Sequence, residues 1–448
     1  MIDLTLLLAV FAGIALLLVL ILYFKVHAFL SLLIVTMFVG VLAGMPPAEI
    51  LDTMKNGMGG TLGFVATVVG LGALFGAILE ESGGAQRLAS WLLDITGTEK
   101  AGWAMVLAGF LVAIPVFFDV AFIILVPVAF ALQKKTGKSL MMYAVPLLAG
   151  LAITHAFIPP TPGPVAVADI IGADMGWVIV FGFVAGIPTA IICGPFIAKR
   201  ISKKIFLEVP ESFEIKDHDE SAAPTPGMII SIIMLPILLI VINTVLNTGA
   251  QSWQLSATVL YWSNLLGHPF SALILANLIA WYLLGLRRGY TKEQLLDIST
   301  KSIYPAGVII LLTGAGGAFK QILVDTGAGT MIADSMNSEF FPPVVFAFVI
   351  SALVRILQGS VTVAMITGAG ITAPIVESLQ LGEIKKAILV IAIAAGATIL
   401  SHVNDSGFWL VKQYLGMDEK QTFQSWTLVT LYIALCGLAI SLALWFIF

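Results

Sequence analysis

Charge is scarce in this sequence. Lys, Arg, Asp and Glu together make up 11% of its 448 residues, whereas a soluble domain carries about 25%. Hydrophobic residues reach 59%. A soluble fold of this length cannot hide so much apolar surface, so lipid must solvate most of the chain. The composition therefore excludes a soluble protein and makes the lipid bilayer the first expected partner.

Cysteine and basic clusters are also nearly absent. The two cysteines, Cys193 and Cys436, both lie in apolar runs, which argues against a disulfide framework and favours close helix packing. The net charge is −4 and no basic cluster is interleaved with aromatic residues, so nucleic acid is not an expected partner. No Cys and His residues have the spacing of metal ligands, and we predict no cofactor.

Apolar stretches long enough to cross a bilayer, about 20 residues each, recur along the chain. They lie at 4–24, 28–45, 59–79, 177–198, 228–247, 269–286, 303–323 and 423–447. One strongly polar segment begins at Lys199. We therefore divide the chain into a first repeat (1–198), a cytoplasmic linker (199–227) and a second repeat (228–448).

The two halves resemble each other. Aligning residues 70–89 with 314–333 matches Gly70 with Gly314 and carries several further identities. With small gaps, two histidine pairs also fall in register, His27 with His268 and His155 with His402. Two such pairs are hard to obtain by chance in a protein with five histidines. We predict an internal duplication.

Charge placement predicts that the second copy is inverted. Suppose that each half has five crossings plus one hairpin that enters and leaves on one side, with the N-terminus outside. Nearly all Lys and Arg then lie in the cytoplasm, and the exceptions are Lys55, Lys385 and Lys386. This follows the positive-inside rule, and it places both termini in the periplasm. The predicted fold is an all-α integral membrane protein of two inverted repeats, each with about five transmembrane helices, a re-entrant hairpin and a broken helix.

The re-entrant hairpins are predicted from two apolar stretches that are too long for one crossing. Stretch 102–132 contains Ile114-Pro115 near its middle, and proline interrupts a helix because it lacks the amide and clashes with the preceding turn. Its tip should lie near 115–119. The corresponding stretch, 342–374, contains Gly359 and a polar run, which predict a second tip.

The broken helices are predicted from two further stretches. Stretch 141–172 is interrupted at 154–164, where four prolines and a glycine occur within six residues, and 387–415 is interrupted at 401–407. Freed backbone groups are tolerated in a membrane only inside protein or beside a wet cavity, and opened helix ends attract ions. Four breaks related by pseudo-symmetry should converge near the midplane, where we predict the binding site.

Ionisable residues at the breaks carry the expected chemistry. Arg355 costs about 2.5–3.5 kcal/mol at the centre of a membrane helix. It therefore needs an anion, either a substrate carboxylate that suits its planar fork or a structural partner such as Asp119 or Asp405. His155 and His402 either contact the substrate or cap broken helices. The predicted substrate-binding residues are Arg355, Ser360, Thr362, Thr154, His155, Thr161, Gly163, His402, Asn404 and Ser406.

Proton coupling is assigned to Asp119, with Asp405 as the rival carrier in a wetter loop. We expect Asp119 to be buried beside Arg355, which would hold it ionised while the site is empty. An arriving carboxylate would compete for the arginine and favour proton binding at Asp119. Substrate and proton would then bind together.

The segments at the breaks resemble a known family. THAFIPPTPGP at 154–164, LVRILQGSVTVAMITGAGITAP at 353–374 and SHVNDSGFWLVKQYLG at 401–416 are similar to segments of the gluconate:proton symporter family of bacterial permeases. The resemblance runs through essentially the whole chain. It implies an inner-membrane permease for gluconate or a related sugar acid, driven by protons. It also implies a homodimer in which a scaffold stays fixed while hairpins and broken helices move.

Two positions depart from that family's pattern. Thr161 stands where many relatives carry His, and Ser406 stands where they carry Pro. Thr161 cannot titrate, so a proton role at that position is not available here. Members of the family also differ in substrate, which ranges from gluconate and idonate to fructuronate-like acids and D-serine.

The expected function is proton-coupled secondary active uptake of a small organic anion. The alternative is sodium-coupled transport of a dicarboxylate or an amino acid such as D-serine. An intramembrane enzyme is disfavoured because no Ser–His pair lies in a nucleophile motif and no HExxH occurs. A channel is a further alternative, and it would not accumulate its substrate uphill.

Overall fold

The computed structural model describes residues 4–210, 224–250, 253–327, 342–403 and 405–448. Every regular element in these ranges is helical. Eight of the described helices are long and apolar enough to cross a membrane. The predicted class, an all-α multi-pass membrane protein, is confirmed.

The described part of the first half contains ten α-helices. They are α1 (Leu4–Leu22), α2 (Ala28–Leu42), α3 (Pro47–Glu81), α4 (Gly84–Thr96), α5 (Ala101–Val112), α6 (Phe118–Thr136), α7 (Met141–Phe157), α8 (Pro162–Ile171), α9 (Met175–Ile191) and α10 (Ile197–Ser202). A 3-10 turn, Thr98–Lys100, precedes α5. A π-helical turn, Ile192–Phe196, joins α9 to α10.

The second half continues the series through its described residues. Its helices are α11 (Pro226–Gly249), α12 (Ala257–Leu266), α13 (Pro269–Ala280), α14 (Lys292–Asp325), α15 (Pro343–Gln358), α16 (Val361–Ser378), α17 (Glu383–Thr398), α18 (Ser406–Leu415), α19 (Glu419–Thr422) and α20 (Leu428–Ile447). A π-helical turn, Trp281–Gly285, and a 3-10 turn, Leu286–Arg288, follow α13. A second π-helical turn, Phe423–Thr427, joins α19 to α20.

Helices of similar length follow each other in the same order in both halves. The 35-residue α3 matches the 34-residue α14, the pair α5–α6 matches α15–α16, and the pair α7–α8 matches α17–α18. Both α2 and α13 begin after a histidine, His27 or His268, whose Nδ1 accepts a backbone amide two residues later. Helix α12 has no described counterpart in the first half. This order supports the predicted duplication, while the division into repeats stays a prediction.

Helices α3 and α14 pack along a seam of small residues. A Cβ atom on Gly57 would lie 2.6 Å from the backbone oxygen of Gly317, and one on Gly317 would lie 2.6 Å from that of Gly57. Near one end, Thr53 Oγ1 donates to Asp325 Oδ2 at 2.6 Å. The start of α3 therefore meets the end of α14, so the two helices are antiparallel. This packing is consistent with an inverted second half, and the inversion stays a prediction.

The broken helices lie in the interior. Residues 387–398 of α17 are all buried, and α7 buries every residue except Met142 and His155. Helices that are buried on all sides lie inside the bundle, where they do not face lipid. Because α7 and α17 end at the two predicted breaks, those breaks lie inside protein.

Candidate functional site

A cavity of about 410 Å³ lies where both hairpin tips and both broken helices meet. Its wall includes the first hairpin tip (117–119), the second hairpin tip (358–362) and the start of α18 (405–407). Further lining residues come from α7, α14, α15, α17, the π-helical turn Phe423–Thr427 and α20: Ala152, His155, Ala156, Ile309, Arg355, Thr398, Trp426 and Thr430. The volume lies within the range of about 300–1,000 Å³ that is usual for small-molecule sites.

Three helix N-termini converge on this cavity. Helices α6, α16 and α18 begin at Phe118, Val361 and Ser406, and all three residues line the wall. The first turn of a helix presents unpaired amides and a positive dipole end, which attract anions. The backbone of the cavity therefore favours a negatively charged ligand.

The structure brings seven of the predicted site residues to this wall. Both hairpin tips and both broken helices contribute to the set, which comprises Arg355, Ser360, Thr362, His155, Ser406, Asp119 and Asp405. Side chains far apart in sequence therefore share one cavity.

Three predicted residues from the first broken helix lie outside that wall. Thr161 Oγ1 donates to the backbone oxygen of Ile158 at 2.7 Å. Gly163 packs against Met365, since a Cβ atom there would lie 2.7 Å from the methionine sulfur. Thr154 is fully buried, and its hydroxyl has no hydrogen-bond partner among the residues that the structure describes. Their assignment as substrate contacts stays a prediction.

The remaining predicted residues belong to the second broken helix. His402 Nε2 lies 2.8 Å from the backbone oxygen of Ile356, so this ring fastens the break to α15. His402 does not line the cavity wall. Asn404 lies outside the described residues.

Arg355 forms a buried ion pair with Asp405. The arginine is 2% exposed, and its Nη2 lies 2.5 Å from Asp405 Oδ2. Its Nε and Nη1 have no hydrogen-bond partner in the part of the chain that the structure describes. An unsatisfied buried donor costs about 1–3 kcal/mol. Arg355 thus has the structural partner that the sequence left open, and its contact with a substrate stays a prediction.

Asp405 is held by three donors. Besides Arg355, the hydroxyl of Ser401 donates to Oδ2 at 2.5 Å and the amide of Gly407 donates to Oδ1 at 3.0 Å. The last bond caps α18. The expectation of a wetter loop is wrong, because Asp405 is only 8% exposed. Three hydrogen bonds offset the cost of removing its charge from water.

Asp119 opens α6 on the cavity wall. It is exposed, and it makes no ion pair with any residue in the described ranges. The expectation that it is buried beside Arg355 is therefore wrong. The arginine's carboxylate partner is Asp405, because the loop before α18 reaches Arg355 from within the same half.

Sequence reasoning missed Trp426. Its Nε1 donates to Ser401 Oγ at 2.7 Å, and its ring stacks on Phe118 with a centroid distance of 5.5 Å. It belongs to the π-helical turn Phe423–Thr427, and such a turn rotates the side chains that follow it and often marks a functional site. Trp426 is one of nine tryptophans in an apolar chain, and no local pattern signals a π turn.

Residues 4–447 match the profile of the GntP family permeases. The chain belongs to the GntP permease family. The resemblance found in the motifs at the breaks is confirmed, and so is the prediction of a transporter that is not an enzyme.

Named relatives of this GntP permease match along nearly its whole length. The low-affinity gluconate transporter of Escherichia coli (strain K12) is 40% identical over 98% of this chain and 97% of its own. The gluconate permease of Bacillus subtilis (strain 168) is 37% identical over 96% of this chain and 97% of its own. The Gnt-II system L-idonate transporter of Escherichia coli (strain K12) is 37% identical over 95% of this chain and 96% of its own.

Solved structures show that the GntP permease shares its fold with other transporters. The Alcanivorax borkumensis YdaH transporter superposes with a TM-score of 0.65 at 13% identity and covers 93% of this chain and 98% of its own. MtrF of Neisseria gonorrhoeae superposes with a TM-score of 0.62 at 13% identity and covers 88% of this chain and 84% of its own. At this identity the likeness is one of fold alone.

Proposed function

We propose that this permease takes up gluconate or a related sugar acid across the bacterial inner membrane together with protons. One observation carries the proposal: Arg355 lines a cavity where three helix N-termini meet, and two of its buried donors have no partner among the described residues. That arrangement suits an organic anion. The relatives are named as transporters of gluconate or L-idonate, which narrows the proposed anion to a sugar acid.

The substrate carboxylate would bind Nη1 of Arg355, which has no partner among the described residues. The N–H of Nε points to the other side of the planar guanidinium, so it would donate to a second oxygen of the same ligand. The hydroxyls of the sugar acid would meet Ser360 and Thr362 at the second tip and Ser406 at the start of α18. A chain of hydroxyls needs many polar partners, and these three residues lie on the cavity wall.

The coupling proton would be carried by Asp119. This carboxylate shares the cavity with the proposed carboxylate site. A bound sugar acid brings a second negative charge, and two neighbouring anions favour proton binding by one of them. Substrate and proton would then support each other's binding by about 1–3 kcal/mol, as usual for coupled sites. Asp405 is the less suitable carrier because three donors already hold it as an acceptor.

Uptake into proteoliposomes tests the proposal. A proton gradient, with the interior alkaline, should drive accumulation of labelled gluconate above its external concentration. A protonophore should abolish that accumulation, and a sodium gradient alone should produce none. Accumulation driven by sodium without a proton gradient contradicts the coupling. The same vesicles, tested with dicarboxylates and D-serine, distinguish the alternative substrates.

We further propose the arrangement of the chain in the membrane. Both termini lie in the periplasm, the linker 199–227 lies in the cytoplasm, and two copies form a homodimer. The distribution of Lys and Arg supports the orientation. The homodimer is supported by the family resemblance.

A further inference from the structure

We propose that Trp426 and Ser401 are positioning residues that hold the guanidinium of Arg355 in the orientation in which it binds the substrate carboxylate. The inference rests on the proposed function, because it concerns how Arg355 is prepared for its ligand. It adds two residues to the site, one of which lies behind the cavity wall.

A single chain of hydrogen bonds joins the indole to the guanidinium. Trp426 Nε1 donates to Ser401 Oγ, which donates to Asp405 Oδ2, and that oxygen also accepts from Arg355 Nη2. A serine hydroxyl has one proton to donate. Because Trp426 can only donate, it occupies an acceptor position of Ser401 and directs the serine proton to Asp405. The indole therefore fixes the direction of every bond in the chain.

The backbone of Ser401 is hydrogen-bonded to residues 426–430, the C-terminal segment that contains Trp426. Its amide donates to Thr430 Oγ1 at 3.0 Å, and its carbonyl accepts from Thr427 Oγ1 at 2.5 Å. These groups have no helical partner, because α17 has just ended at the break. Ser401 is fully buried. The C-terminal segment thus fixes both the backbone and the hydroxyl of the residue that orients Asp405.

The planar shape of the guanidinium makes this orientation matter. With Nη2 held by Asp405, the directions of Nε and Nη1 depend on where that carboxylate lies. Those two nitrogens are the unpaired donors. If the Asp405 carboxylate rotates after losing the Ser401 bond, both donors turn away from the positions in which they meet the ligand.

Trp426 acts through Arg355 because its own polar atom is already engaged. Its only N–H is donated to Ser401, and its ring stacks on Phe118 with an interplanar angle of 22°. Ser401 does not line the cavity. Hydrogen bonding to the substrate is therefore excluded for Trp426, and the buried serine hydroxyl is directed away from the ligand.

A double-mutant cycle tests the assignment. Trp426→Phe keeps a ring to stack on Phe118 and removes the N–H, and Ser401→Ala removes the next link. Isothermal titration of purified permease in lipid nanodiscs with sodium gluconate should show binding weakened about three- to tenfold for each variant, the effect of losing one buried hydrogen bond. In an Arg355→Lys background the same changes should cost less than about twofold, because residues that act through one group are not additive.

Trp409→Phe is the matched control. This indole also donates one hydrogen bond, to the backbone oxygen of Val403 at 2.8 Å, but it is exposed and lies off the cavity wall. Its loss should leave gluconate binding unchanged. Melting temperatures without ligand show whether each variant folds. If Trp426→Phe does not fold, the cycle that combines Ser401→Ala with Arg355→Lys decides.

The outcomes separate this inference from the function on which it rests. Equal weakening with and without Arg355 overturns the positioning role, since Trp426 and Ser401 would then act independently of the guanidinium. Unchanged gluconate binding by both variants overturns it as well, while the proposed substrate stands. No gluconate binding by the unmodified permease refutes the proposed substrate itself.

Discussion

Replacing Arg355 by lysine should weaken sugar-acid binding while leaving the protein folded. Arginine can offer Nη2 to Asp405 and two further nitrogens to the ligand. Lysine carries a single ammonium on its stem and cannot present two donors in one plane. Since the site is buried, the ammonium should remain with Asp405, because separating the two charges would leave each unpaired.

The expected magnitude follows from the bonds that are lost. Each hydrogen bond from a charged donor contributes about 1.5–3 kcal/mol, and the bound sugar acid would receive two from Arg355, one from Nε and one from Nη1. A lysine ammonium shared with Asp405 can restore at most one of them. The net loss is then about 1.5–3 kcal/mol, which corresponds to a dissociation constant raised roughly ten- to hundredfold, at about 1.4 kcal/mol for each factor of ten.

Titration calorimetry with gluconate measures this change directly. The melting temperature of the ligand-free variant should stay close to that of the unmodified protein, because the ion pair with Asp405 is kept. Arg287→Lys, the same substitution at an exposed position, should leave binding unchanged. A folded Arg355→Lys protein that binds gluconate within about threefold of the original would refute the contact through two arginine nitrogens, because its loss should weaken binding at least tenfold.

Three further predictions concern coupling, packing and topology. Asp119→Asn should abolish uphill uptake of gluconate but preserve exchange of labelled substrate, and accumulation with unchanged pH dependence would transfer the proton role to Asp405. Gly317→Ala should lower the melting temperature, since its Cβ would lie 2.3 Å from Thr61 Oγ1 and overpacking costs about 1–3 kcal/mol. The control is Gly307→Ala on the same helix, whose Cβ would meet no atom within 4 Å. It should leave the melting temperature unchanged. A reporter fused after Phe448 should report a periplasmic location, and activity of a cytoplasm-specific reporter contradicts the proposed orientation.

The breaks could be predicted from sequence because their causes are local. Proline removes an amide and glycine permits a left-handed turn wherever they occur. Gly359, with φ of 90°, ends α15 within the predicted second tip. Helix α8 begins at Pro162, inside the predicted interruption. Neither feature needs knowledge of a distant residue.

Helix length was harder to predict, because hydropathy marks the part of a helix that suits lipid. The apolar stretch at 303–323 belongs to a helix that begins at Lys292. Thr291 and Gln294 form a capping box there, which satisfies the first amides outside the apolar region. The helix therefore starts about three turns before the apolar stretch does.

Partner choice inside the site was beyond sequence reasoning. Both Asp119 and Asp405 lie at breaks, and only tertiary packing decides that Asp405 meets Arg355. Gly163 belongs to a conspicuous proline-rich break, yet it packs against Met365. Ser401 and Trp426 interact across 25 residues through a π turn that no local pattern reveals. Such contacts depend on how the halves of each broken helix are placed in space.

The lengths of α3 and α14 also determine what the molecule presents outside the lipid. At about 1.5 Å per residue, each helix is roughly 50 Å long, whereas the hydrocarbon core is about 30 Å thick. The excess lies mainly at each N-terminus, where residues 47–56 and 292–302 are polar and mostly exposed. Because the two helices are antiparallel, these ends emerge on opposite sides. We therefore expect one helix end to protrude from each face of the membrane, so that a soluble reagent on either side reaches only one of them.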